Sequence, residues 1–153
     1  MNLSSATILL VEDDPNDARL VQRAFGRSGE AVNVLRLQNG DEAVSYLRGD
    51  SPYENRAAYP MPSVVLLDIK LPRRSGLEVL GWVRTRTDEL RRLPVIMLSS
   101  STHAADVNRA YDLGANSYLA KPDTTERLNE MVRLLASYWL DMNQPPLRDG
   151  SFA

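Results

Sequence analysis

Four apolar runs in this sequence end in residues able to do chemistry. Ile8-Leu9-Leu10-Val11 leads into Glu12-Asp13-Asp14, Val64-Val65-Leu66-Leu67 into Asp68, Val95-Ile96-Met97-Leu98 into Ser99-Ser100-Ser101, and Tyr118-Leu119-Ala120 into Lys121-Pro122. Gathered at one edge, these ends would bring carboxylates, a hydroxyl and an ammonium together. Two carboxylates about 4 Å apart repel by roughly 4 kcal/mol at an effective dielectric of about 20. A divalent cation relieves that repulsion. Two carboxylates and a backbone carbonyl, completed by waters and a phosphoryl oxygen, form the oxygen octahedron usual for Mg²⁺. A carboxylate beside such an ion can attack phosphorus and form an aspartyl phosphate. The transferred group carries dispersed negative charge, so its transfer needs positioning and cations more than proton chemistry. Lys121 would supply a point charge to one phosphoryl oxygen and Ser99 a hydroxyl donor to another, with Mg²⁺ on the third.

Each of these residues also has a purely structural reading. Asp14, with Pro15 behind it, reads first as a helix cap. Asp68 ends an apolar run, where an unpaired carboxylate is costly, and no helix start follows until Ser75, so Asp13 with Asp68 reads as functional. Ser99 taken alone divides evenly between turn residue and phosphate ligand. Lys121 would ordinarily be a solvated surface lysine. Of the 18 basic residues, however, only Lys70 and Lys121 are not Arg, and a compact ammonium does a different job from a planar guanidinium. A cis Lys121-Pro122 bond would turn that ammonium back toward the site. His103, the one histidine, has no second nitrogen ligand and reads as exposed near a helix start. Tyr118 reads more readily as core than as switch.

The elements that must position these residues follow from the hydrophobic pattern. Short unbroken aliphatic runs suit strands covered on both faces, while the more mixed Val32-Asn33-Val34-Leu35-Arg36-Leu37 suits an edge strand. Between the strands lie helical patterns with start and stop signals. Asp14 and Pro15 open one that carries Ala18, Val21 and Phe25. Asn39 to Leu47 form a second, and Ser75 with Glu78 makes a capping box ahead of Leu80 and Val83. Ala104 to Leu113 is stopped by Gly114. Asp123 with Glu126 reads as another capping box ahead of Leu128, Val132, Leu135 and Trp139. Five repeats of strand then helix imply right-handed crossovers and an α/β fold, a doubly wound parallel sheet with helices on both faces. In such a sheet ligands bind beyond the carboxyl ends of the strands, where the strand order reverses.

Composition narrows the class. The 153 residues suffice for one core without staples, and zero cysteines exclude disulfides, thiolate metal sites and a Cys nucleophile. A net charge of −2 gives no field for gathering nucleic acid, and the longest apolar runs fall far short of a bilayer span. Met1 to Thr7 lacks both a basic and a long apolar region, so a cytoplasmic address is expected. Two segments fall outside the strand-helix alternation and are loop-like in composition: Gly49 to Pro62, and Leu140 to Ala153.

With these residues in place, the sequence resembles the receiver domain of two-component response regulators, of the chemotaxis-regulator type, from about Thr7 to Ala136. The resemblance rests on Leu10-Val11-Glu12-Asp13-Asp14, on Leu66-Leu67-Asp68-Ile69-Lys70-Leu71-Pro72 followed by Gly76, on Leu93-Pro94-Val95 leading to Ser99, and on Gly114-Ala115 leading to Tyr118 and Lys121-Pro122. It implies a flavodoxin-like strand order of 2-1-3-4-5. It also implies that Asp68 accepts a phosphoryl group from a histidine of a sensor kinase. Glu12, Asp13, Asp68 and the Lys70 carbonyl would hold Mg²⁺, Ser99 and Lys121 would read the phosphate, and Tyr118 would report its state. Such a chain is a phosphoacceptor with weak autophosphatase activity rather than an enzyme. Leu71 stands where Met is frequent and Asp123 where an aromatic is frequent, neither touching the chemistry. The segment 49–62 and the ending Tyr138-Trp139-Leu140 with its tail are similar to small single-domain regulators paired with phytochrome-type histidine kinases.

One domain is therefore expected over 1–153, with a core at 7–136 and an extension at 137–153. Residues 140–153 are too few for a DNA-binding module, so output by protein contact is expected. Tyr138, Leu140 and Met142 lie off the stripe of Leu128, Val132 and Leu135, which leaves the last helix apolar on more than one face. That predicts a homodimer in which the segment from Tyr138 onward crosses to the other subunit, against the alternative of a tail folded on its own domain. A phosphohydrolase with an Asp nucleophile is the rival from another class. It would want an acid two residues beyond the nucleophile, where Lys70 stands. A metal-binding scaffold is a further rival, and an FMN carrier would not need the acidic cluster.

Overall fold

The structure is a computed structural model and describes residues 6–146. Five parallel strands, β1 (Ala6–Val11), β2 (Val32–Leu37), β3 (Val64–Leu67), β4 (Val95–Ser99) and β5 (Ser117–Ala120), lie in the order β2-β1-β3-β4-β5. The helices between and after them are α1 (Pro15–Gly26), α2 (Gly40–Arg48), α3 (Gly76–Arg84), α4 (Ala104–Leu113) and α5 (Thr125–Ala136). The expected flavodoxin-like order is the one observed.

Side chains alternate across a strand, and here the alternation sorts the core into two layers. Ile8, Leu10, Leu66, Ile96 and Leu98 face α1 and α5, where Val21, Phe25, Leu128 and Val132 meet them. Leu9, Val11, Leu67 and Met97 face the other side, against Val44, Leu47, Leu80 and Val83 of α2 and α3. Both faces of the central strands are buried, which is why they read as unbroken apolar runs.

The helix starts expected from sequence hold with one shift. The Asp14 carboxylate accepts from Asn16 and Asp17 N–H, and Ser75 with Glu78 forms the reciprocal capping box. Gly114, at φ 105°, ends α4 in the left-handed region that favours glycine. The cap of α5, however, is Thr124, whose hydroxyl accepts from Arg127 N–H at 3.2 Å. Asp123 is exposed and belongs to the bend that leaves β5, so the helix starts a residue later than expected. β5 also differs from a strand covered on both faces: it is the second edge of the sheet, and Ser117, Tyr118 and Leu119 are only half-buried.

The segment 49–62 folds back on α2. Tyr46, Tyr53 and Tyr59 form a ring cluster with centroids 5.1 to 6.1 Å apart. The Tyr46 hydroxyl donates to Pro60 O at 2.7 Å, and Arg56 donates to Leu47 O and Tyr59 O, both at 3.1 Å. Burial pushes the Tyr46 phenol up to about 12.

At the other end α5 continues through a wider π-type turn, Ser137–Met142, closed by Asn143 N–H on Tyr138 O at 2.6 Å. Trp139 and Leu140 pack against the α1–α5 layer, while Tyr138 and Met142 point outward. Leu140 was expected off the core and lies on it, because the wider turn shifts the angle at which successive side chains leave the helix axis. Pro145 and Pro146 then line a cavity of about 240 Å³ with Met61, Leu90 and Leu93 of the same domain. The part of the expected dimer tail at 147–153 lies outside the described residues.

Candidate functional site

Glu12, Asp68 and Lys121 each sit one step past a strand and are held there by a further ladder bond, while Ser99 is the last residue of β4 and Tyr118 lies within β5. Asp68 N–H donates to Val11 O at 3.2 Å, Glu12 N–H to Leu37 O at 3.0 Å, and Lys121 N–H to Ser99 O at 2.9 Å. The sheet order reverses between β1 and β3, so Glu12 and Asp68 meet at the switch point. Gly76 makes this possible on the α3 side. Its N–H donates to Ile69 O at 2.8 Å, and a Cβ there would run into the Asp68 backbone carbonyl.

Carboxylate oxygens of Glu12, Asp13 and Asp68 lie within 4.8 Å of one another. Glu12 and Asp68 are buried and Asp13 is exposed, which leaves the cluster open on one side. Lys121 reaches into it, with its Nζ 2.7 Å from Glu12, 3.0 Å from Asp68 and 3.0 Å from Asp17. Burial raises the Glu12 carboxyl above its ordinary value, and the Lys121 ammonium opposes that rise. Burial alone would depress Lys121, but hydrogen bonds to Glu12, Asp17 and Asp68 outweigh it and hold the ammonium above its ordinary value. Lys121 stays charged throughout the physiological range.

The Lys121-Pro122 bond is not cis; the one cis bond among the described residues is Ser51-Pro52. The physical reason is that Lys121 hangs from a backbone position already set by its bond to Ser99. The peptide that follows has no part in aiming the ammonium.

Ser99 is buried, and its hydroxyl oxygen accepts from Ser101 N–H at 3.2 Å, leaving its proton available. The Ser101 hydroxyl donates to Asp106 at 2.6 Å, and the Tyr118 hydroxyl donates to Ser101 O at 2.7 Å. Tyr118 is thus tied to the loop that follows Ser99, with its half-buried ring against the α2–α3 layer. The Lys70 side chain is exposed.

Three residues of this region were not singled out from sequence. Asp17 binds Lys121, and its signal was its place in the first turn of α1, four residues past Asp13. Arg36 donates to the carbonyls of Glu12 and Asp13, each at 3.0 Å, and so fixes the acidic loop. Its signal was the one charged side chain in the mixed edge strand β2. Asp106, half-buried, anchors Ser101, and no pattern in the sequence distinguished it from other acids on the helices.

Comparison with known proteins agrees with this arrangement. The model of the response regulator receiver domain matches residues 8–133. The probable methanogenesis regulatory protein FilR2 of Methanothrix harundinacea is 40% identical over 139 residues, 91% of this chain and 86% of that one. Response regulator Rcp1 of Synechocystis sp. is 38% identical over 134 residues, 88% of each chain. A crystal structure of the Mn²⁺-bound form of Rcp1 superposes with a TM-score of 0.84 at 36% identity, over 93% of this chain and 99% of that one. The phosphorylated cyanobacterial phytochrome response regulator RcpA superposes with a TM-score of 0.86 at 34% identity, over 94% of this chain and 100% of that one. Since the family model spans residues 8–133 and the fold and sequence agree with these relatives over nearly the whole described length, the chain belongs to the response regulator receiver domain family.

Proposed function

We propose that Asp68 takes a phosphoryl group from the phosphohistidine of a sensor histidine kinase in the cytoplasm, and that the chain passes the signal on by protein contact. The observation that carries this reading is the Asp68 carboxylate itself. It is buried at the switch point, bonded to a lysine and grouped with two further acids. In the transfer, the N–P bond of the phosphohistidine breaks and its electron pair returns to the imidazole, while an Asp68 carboxylate oxygen forms the new O–P bond.

The donor set suits a divalent cation: three hard carboxylate oxygens gathered closely, with only one ammonium to offset them. Glu12, Asp13, Asp68 and the Lys70 carbonyl would hold Mg²⁺, which supplies Lewis-acid stabilisation of phosphoryl charge when bound. The chain's own residues do the rest. Lys121 presents a fixed positive charge to a phosphoryl oxygen, and Ser99 a hydroxyl donor to another. Because Ser101 N–H bonds to the Ser99 hydroxyl, a Ser99 that moves toward the phosphate draws on the loop that Tyr118 holds. The face formed by α4, β5 and α5 then changes as a shift between two packings. Slow hydrolysis of the acyl phosphate, a weak autophosphatase activity, would reset it.

RcpA, a phytochrome response regulator, supports a phytochrome-type kinase as the partner, and in this reading 7–136 is the receiver unit, with 49–62 and 137–153 the places where partner choice is set. The described face of β5 and α5 supports a homodimer. Leu134 and Tyr138 are half exposed there, one helical turn apart, over a groove with Leu119, Met131 and Trp139.

Acetyl phosphate with Mg²⁺ tests the function. The expected result is a lasting mass gain of one phosphoryl group that is absent in Asp68→Asn. Rapid turnover without accumulation would favour a phosphohydrolase, and no reaction would favour a scaffold.

A further inference from the structure

Lys121 is fully committed before any phosphate arrives. An ammonium has three N–H donors, and three carboxylates take them: Glu12 at 2.7 Å, Asp17 at 3.0 Å and Asp68 at 3.0 Å. On phosphorylation the Asp68 carboxylate gives up its own hold on Nζ, and the ammonium follows the charge outward to a phosphoryl oxygen only as far as its other acids let it go. Those acids are not equally free to do so. The side chains of Glu12 and Asp68 are 4% and 8% exposed, whereas that of Asp17 is 41% exposed. A buried carboxylate that loses its partner bears the full desolvation cost, and an exposed one is taken up by water. Glu12 is also held by Asp14 N–H at 3.1 Å, and Asp68 carries the phosphoryl group itself. Asp17 stands in the first turn of α1, where the N–H groups of the helix start favour a negative charge that has lost its cation.

We infer that Asp17 is a positioning residue, the exchangeable partner of Lys121: it holds the ammonium while Asp68 is unmodified and releases it to the phosphoryl group. This rests on the phosphoacceptor reading of Asp68. Asp17 then works against phosphorylation, since its bond to Lys121 must break for the new one to form. It sets how far the unmodified state is favoured and takes no part in the bond-making.

The test is the affinity of the whole chain for beryllofluoride in saturating Mg²⁺, followed by amide shifts, in the wild type, Asp17→Asn, Asp17→Ser and Asp14→Asn. A partly exposed ion pair is weak, so its removal should tighten beryllofluoride binding by about two- to fivefold in both Asp17 variants. Asp14→Asn removes an equal charge from the same turn, keeps a residue suited to capping and touches no lysine. It should leave the affinity unchanged, which separates release of Lys121 from a general drop in negative charge. Unchanged or weaker binding in the Asp17 variants overturns the inference, as does an equal gain in Asp14→Asn. A wild type that does not bind beryllofluoride overturns the reading of Asp68 as well. Should one Asp17 variant fail to fold, as shown by its amide spectrum, the other decides.

Discussion

Lys121 offsets part of the site's negative charge with a single ammonium. Removing it leaves Glu12 and Asp68 buried without their cation, and a buried charge left unpaired is strongly destabilising. Lys121→Ala should therefore lower the stability of the metal-free protein by about 2 kcal/mol, reduced from the fully buried case because the lysine keeps some solvent contact. Mg²⁺ should restore most of that loss, so the gain in melting temperature on adding Mg²⁺ should be larger in the variant than in the wild type. An equal gain in both would show that cation and lysine do not answer the same repulsion. Lys121→Arg keeps the charge but replaces a point donor with a planar fork. It should impair the response to beryllofluoride more than the binding of Mg²⁺, as read by amide shifts in the two titrations.

Two devices hold whole elements in place. The ring cluster ties 49–62 to α2 and turns a loop-like stretch into an extension of the core. The Tyr46 phenol titrates at about 12 rather than its ordinary 10.0 because burial favours the neutral form. Above pH 10 the unfolded chain loses this proton and the native chain keeps it. Stability is therefore whole below that point and falls as pH rises from 10 toward 12. Denaturant titrations along that interval should show the fall, and Tyr46→Phe should flatten it while weakening the fold at neutral pH through loss of the bond to Pro60.

The second device is Arg84, at the end of α3. It donates to Gly114 O at 2.8 Å, Leu93 O at 2.7 Å, Arg91 O at 3.0 Å and the Asn116 side chain at 2.8 Å. Asn116 in turn accepts from Val95 N–H at 2.8 Å, so one guanidinium joins α3, the start of β4 and the turn into β5. Burial depresses its pKa, and no carboxylate is among these partners. Arg84→Ala should cost about 2–3 kcal/mol by chemical denaturation, since several acceptors lose a charged donor at once. Arg84→Lys should recover little, because one ammonium cannot span the fork. Full recovery would mean that charge rather than geometry holds the joint.

At the scale of the whole molecule, β5 and α5 present an apolar face that no other segment covers among the described residues. Leu134 and Tyr138 are 55% and 50% exposed there. In a homodimer they would lie at the contact, and light scattering of Leu134→Glu combined with Tyr138→Glu should report a smaller particle than the wild type. A wild-type monomer would remove the dimer from the proposal. The course of the tail also bears on its geometry. Residues 143–146 run back to the lower edge of their own sheet, where Pro145 and Pro146 lie near Leu90 and Leu93. That is the own-domain alternative for this stretch, so a dimer would rest on the helix face more than on an exchanged tail. No helix among the described residues is long and apolar enough to cross a membrane.

Sequence alone determined the order of strands and helices and the residues at the strand ends, because both are local. A buried strand needs a short aliphatic run, a helix start is commonly marked by a side-chain acceptor two or three residues before the N–H it caps, and a parallel sheet exposes its carboxyl ends together. Glu12, Asp13, Asp68, Ser99 and Lys121 were legible for that reason. Tertiary structure alone decided which charges pair. Asp17 and Lys121 are 104 residues apart, and nothing in either neighbourhood names the other. Their contact accompanies the packing of α1 beside α5, the helix that follows β5, on one face of the sheet. The same holds for Arg36 on the acidic loop, for Asp106 on Ser101 and for Leu140 on the core. The angle of the last turn and the edge position of β5 are likewise set by neighbours far away in the chain, which no local pattern encodes.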